Sequence, residues 1–146
     1  MDYSKVINLK KDINLPPDVI LTDKTIKLPV LKNFIAKKPL LDEDNILGYL
    51  NSCPLIDADF ALIIHDESLI DMKIKEDDLV YINRKKDLCS GDVGAVLIDN
   101  KITVRRLYFN GDDIILGTCD NACTQIVLNK NKVEILGKLE GYMHVV

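Results

Sequence analysis

The chain has 146 residues, of which 47% are apolar and 29% charged, with a formal net charge of −4. This is one domain's worth of sequence, with enough apolar surface to bury a core without disulfide or metal staples. The acidic balance argues against a general affinity for nucleic acid, which needs an excess of Lys and Arg, and no apolar run reaches the length of a bilayer span.

Trp is absent, so the core must be built from Ile, Leu and Val. The first residues, Met1-Asp2-Tyr3-Ser4-Lys5, lack an apolar secretory stretch, and the chain is expected in the cytoplasm. Of its four cysteines, Cys53, Cys89, Cys119 and Cys123, the last two stand four apart, which is not the gap of a zinc knuckle or redox motif. His65 and His144 lie far from that pair in sequence. Free thiols, with no metal and no cofactor, are expected.

Taken in chain order, residues 1–25 scatter Ile and Leu among Lys and Asp, and Pro16-Pro17 prevents a helix from running through. They read as an extended arm or linker, too short for a helix-turn-helix. The chain is therefore expected not to bind DNA directly. Residues 26–146 read as one domain. Lys27-Leu28-Pro29-Val30-Leu31 opens it as a strand, with Pro29 pointing to an edge position. The acids at 42–44 cap a short helix or lead as a loop into a strand ending near Leu50. Phe60-Ala61-Leu62-Ile63-Ile64 is a continuous apolar run of strand length, expected to be buried on both faces. Leu79-Val80-Tyr81-Ile82 follows an acidic turn.

Two hairpins come next. Asp99-Asn100 joins strands at 93–98 and 101–107 through a primed two-residue turn, and Asn110-Gly111 marks the next reversal. Gln125-Ile126-Val127-Leu128 is a further strand, Lys130-Asn131 a turn, and residues 133–146 one long strand that bends at its glycines. Many short strands, tight turns and little helix predict a mainly β fold of Greek-key or folded-sheet type.

Ser68 follows the apolar strand and precedes Leu69-Ile70-Asp71-Met72, a short helical turn for which its hydroxyl is placed to serve as N-cap. Its wider context is more informative. Eight blocks occur in order: Leu28-Pro29-Val30, Ile35-Ala36-Lys37-Lys38-Pro39-Leu40-Leu41, Ala58-Asp59-Phe60-Ala61-Leu62, Ser68-Leu69-Ile70-Asp71, Asp77-Asp78-Leu79-Val80, Gly91-Asp92-Val93 with Ala95-Val96-Leu97-Ile98, Thr103-Val104-Arg105-Arg106-Leu107, and Glu134-Ile135-Leu136-Gly137-Lys138. Together they resemble the serine–lysine autopeptidase domain of LexA, phage repressors and UmuD. The resemblance implies a LexA/signal-peptidase-like folded sheet of short antiparallel strands. It also implies a serine that attacks a peptide bond of its own chain, and a buried neutral lysine that takes the serine's proton.

Carried over residue by residue, the resemblance puts Ser68 at the nucleophile position and Arg105 at the lysine position. A shift of one residue would substitute Arg106, with the same consequence. A guanidinium stays protonated at any working pH, so it is no general base, although it can donate hydrogen bonds to Ser68. Asp66 stands where the family has glycine two residues before the serine, a position where glycine serves a left-handed or closely approached backbone. Asp66 and Glu67 also bring negative charge to the oxyanion region. Ala36-Lys37 stands at the scissile Ala-Gly or Cys-Gly, and a bulky charged Lys37 resists entry into a dry cleft. Lys37, Lys38 and Lys101 are the substitute bases to weigh. Asp66, His65 and Ser68 crowd onto one turn, unlike a triad, whose members converge from separate segments.

The expectation is a non-cleaving regulatory and dimerisation domain in transcriptional or SOS-like control. It would pair as a homodimer through residues 133–146, with a full-length repressor or a recombinase filament as further partners. The alternatives are an active autopeptidase using Ser68, and the C-terminal fragment of a longer helix-turn-helix repressor.

Overall fold

A computed structural model describes residues 26–36, 39–53, 55–117 and 125–144. Nine strands follow in chain order: β1 (Ile26–Leu31), β2 (Ile46–Ser52), β3 (Phe60–Ile63), β4 (Leu79–Asn83), β5 (Val93–Ile98), β6 (Lys101–Asn110), β7 (Asp113–Gly117), β8 (Ile126–Asn129) and β9 (Glu134–Met143). They form one sheet in the order β2-β1-β3-β4-β9-β5-β6-β7-β8. The mainly β expectation holds, with two refinements. The sheet is mixed, because β1 and β3 run parallel where Val30 meets Ala61, and β6 and β9 are long at ten residues each.

Local chemistry accounts for most elements. Asp42 accepts the Asp44 N–H at 3.0 Å and so caps a one-turn 3₁₀ helix, Glu43–Asn45, that runs directly into β2. Both helix and strand readings of that stretch are thus realised in succession. Asn129 does the same for Lys130–Lys132 by accepting the Asn131 N–H. Asp99 and Asn100 take φ of 49° and 64°, the paired left-handed conformation of a type I′ hairpin turn. The next turn comes one residue later than the Asn110-Gly111 pair suggests. Asn110 already pairs with Asp113, so Gly111 and Asp112 make the turn and only Gly111 has positive φ.

β3 and β4 are buried along their whole length, as the uninterrupted apolar run requires. Phe60, Leu62, Val80 and Ile82 pack on one side with Ile74, Ala95, Val104 and Leu136. Ala61, Ile63, Leu79 and Tyr81 pack on the other with Leu28, Val30, Leu50 and Met143. A third cluster, Val96, Leu107, Ile114, Leu116 and Val133, sits under the β6–β7 end.

One expectation is corrected here. β1 lies inside the sheet, so Pro29 is not on an edge strand. β3 engages β1 at a single residue pair, which leaves room there for a residue without an N–H. β9 is also internal. Residues 138–143 pair with β4 on one side and residues 134–138 with β5 on the other, so each edge is paired over part of its length. Its bends are two bulges, at Glu140 and Leu136, each beside a glycine as expected. Among the described residues, no helix is long and apolar enough to cross a membrane.

Candidate functional site

Ser68 sits on a loop joining β3 to β4 whose ends are tied together. Ile64 N–H donates to the Asp78 carbonyl at 2.9 Å, and Asp77 N–H to the Ile64 carbonyl at 2.8 Å. Leu69 and Ile74, 2% and 0% exposed, plug the loop into the main core. The expected helical turn forms at Ile70–Met72 and closes at Lys73 with φ 63°. The side chain of the buried Asp78 accepts the Lys75 N–H at 2.8 Å and lies 2.6 Å from His144 Nδ1, fastening the loop to the end of β9. Arg106 donates to the Gly91 carbonyl at 2.8 Å and lies 3.7 Å from Asp71, bracing the loop from β6. Arg106 thus meets the loop at Asp71, and Arg105 meets it at Asp66, two residues before the serine.

The Ser68 hydroxyl donates to Asp66 Oδ1 at 2.6 Å, and the Ser68 N–H donates to the same oxygen at 3.0 Å. The Val104 carbonyl is a weaker second acceptor for the hydroxyl at 3.5 Å. Asp66 Oδ2 lies 3.3 Å from Arg105 Nη2, whose side chain is largely buried while that of Asp66 is half exposed. A carboxylate therefore stands between the serine and the cation. Burial pushes the Asp66 carboxyl up. The two Ser68 hydrogen bonds and the charges of Arg105 and Lys101 outweigh that and hold it below its ordinary value.

Three expectations change on this geometry. The first helical turn is entered through Leu69 without a side-chain cap, so Ser68 is not an N-cap. Arg105 reaches Asp66 where a bond to Ser68 was the expectation, because the inserted carboxylate is the stronger acceptor for a guanidinium. Asp66 is not in left-handed backbone, so any glycine requirement for φ there is absent. The role of Asp66 as the link was missed. Its signal was legible all the same, since an Asp two residues before a Ser readily accepts that residue's N–H.

Residues 62–66 and 101–105, with Asn33, line a cleft of about 160 Å³ beside this cluster. His65 lines it, but no hydrogen bond joins His65 to Ser68 among the described residues. The Lys101 ammonium lies 5.9 Å from the Phe34 ring centroid. Lys37, Lys38, Cys119 and Cys123 lie outside the described residues.

Ala36 is held away from the serine. Its N–H donates to Asn45 Oδ1 at 2.7 Å, and the preceding segment lies along the start of β6. Phe34 bridges Lys101, Ile102 N–H donates to the Asn33 carbonyl, and Ile35 N–H to the Asn100 carbonyl. That register takes the chain to the Asn100 end of β6, the end away from Arg105.

Comparison with known proteins agrees with this architecture. Residues 29–140 match the family model described as Peptidase S24-like. The chain is 30% identical over 135 residues to the LexA repressor of Syntrophomonas wolfei, and 30% identical over 135 residues to that of Clostridium novyi, covering 90% of this chain in each case. It is 27% identical over 143 residues to the LexA repressor of Caldicellulosiruptor saccharolyticus. The chain spans 65% and 66% of the length of the first two relatives.

Proposed function

The chain belongs to the Peptidase S24-like family, and from that premise we propose that it is a non-cleaving regulatory member. It would act through protein–protein contacts in transcriptional or damage-response control, with residues 1–25 as an arm or interdomain linker. One observation carries the reading: the Ser68 hydroxyl is engaged by Asp66, and Asp66 by Arg105. A serine becomes a nucleophile when a base of suitable strength takes its proton. Asp66 is a weaker base than an ordinary carboxylate, and its charge opposes the oxyanion that attack on a carbonyl creates. Arg105 keeps its proton and has none to accept.

The test is self-cleavage. Purified protein held at alkaline pH is expected to keep its intact mass. A cut between Ala36 and Lys37 that disappears in Ser68→Ala would overturn the reading in favour of an active autopeptidase. Arg105→Lys is also expected to stay intact, because Asp66 would hold the new ammonium in its charged form.

The same reading includes self-association. Two chains would meet at β9, where Ile135 and Tyr142 are exposed apolar side chains. Sedimentation is expected to give a two-chain mass that Tyr142→Glu halves. A monomer at micromolar concentration counts against the pairing.

A further inference from the structure

A second groove, of about 490 Å³, lies where the loop leaving β4, the end of β6 and the bulged part of β9 meet. Its walls are fixed without any ligand. The buried Asn83 donates to the Asp57 carbonyl at 3.1 Å and accepts the Lys85 N–H at 2.8 Å. Arg84 N–H donates to Asp59 Oδ2 at 2.6 Å. On the other wall, Phe109 N–H donates to Ser90 Oγ at 3.1 Å, and Gly91 N–H to the Leu107 carbonyl at 2.7 Å. Leu88 packs with the third core cluster, in space that a side chain at Gly94 would take.

The charges around this groove are not equivalent. Lys86 is already engaged, its Nζ 2.7 Å from Glu140 Oε1. Arg84 is held by its backbone, yet no carboxylate pairs with its guanidinium among the described residues. Asp87, exposed, is the one carboxylate of the lining. We infer that this groove binds a small amphipathic carboxylate, whose aliphatic or aromatic body lies on Leu88, Phe109 and Leu136 and whose head group is taken by Arg84. A preformed groove of this volume with an apolar lining and one free polar anchor suits a compact organic ligand. The planar fork of a guanidinium matches the two oxygens of a carboxylate.

The test titrates the full chain with phenylbutyrate, phenylbutanol and phenylbutylamine, followed by amide NMR. Phenylbutyrate is expected to saturate with a Kd on the order of 1 mM, as so few non-hydrogen atoms allow, with shifts centred on residues 84–88, 109 and 135–137. The alcohol should bind about tenfold more weakly, and the amine more weakly still. Arg84→Gln keeps the backbone bond to Asp59 and should bring the acid down to the affinity of the alcohol. Asp87→Asn removes the opposing charge and should tighten the acid. Lys85→Gln, outside the lining, should leave it unchanged. Thermal melts verify that each variant is folded. No saturable binding, equal affinity for acid and alcohol, shifts centred elsewhere, or equal losses in Lys85→Gln and Arg84→Gln would each overturn the inference. The non-cleaving reading is tested separately, since none of these variants touches Ser68, Asp66 or Arg105.

Discussion

Where β9 passes β4, a methyl group on Gly137 would lie 2.6 Å from the Asn83 carbonyl and 2.7 Å from Ile82 Cγ2. Where β6 faces the serine loop, Arg105 meets a half-exposed Asp66 at 3.3 Å with solvent nearby. The first region admits one residue type, because its nearest neighbour is the Asn83 backbone, which cannot move aside. The second admits several, because water screens its charges and long side chains reorient. Chemistry at the cleft is therefore separable from the packing that holds the cleft in place.

Three experiments sharpen this contrast. Gly137→Ala should give the largest loss, about 3 kcal/mol or a failure to fold, read by chemical denaturation. A loss under about 1 kcal/mol would mean that the sheet centre is as forgiving as the cleft. Asn100→Gly should gain about 0.5–1 kcal/mol in the same assay, because glycine takes the φ of 64° without strain. Asp66→Asn should change stability least, by no more than about 0.5 kcal/mol at neutral pH after solvent screening. Its pH dependence carries the sign. The folded-state value of Asp66 lies below the ordinary 3.8, so its contribution is present above 3.8 and is lost as pH falls through the lower folded value. The variant and the parent should therefore converge in acid, and a gap that widens below pH 3.8 would contradict the ion-paired carboxylate.

The two regions also differed in how far they could be read from sequence. Apolar runs and turn dipeptides located β3, β4 and the β5–β6 hairpin, because a buried strand and a type I′ turn each follow from a few adjacent residues. The family resemblance brought Ser68 and Arg105 to one site, and the geometry agrees that they lie close. The missing piece was short in range. Asp66 was read as a charge that would oppose an oxyanion, when its nearest task is to accept the Ser68 hydroxyl and N–H.

By itself, the amino-acid sequence determined the alternation of strands and turns, the arginines at 105 and 106, and the family to which the blocks belong. Periodicity, side-chain type and local turn chemistry are all written in neighbouring residues. Tertiary structure alone decided that β9 lies between β4 and β5, that residues 33–35 lie along the start of β6, and that a carboxylate separates Ser68 from Arg105. Each of those depends on which distant segments compete for the same hydrogen bonds, and that competition is resolved only when the chain has closed on itself.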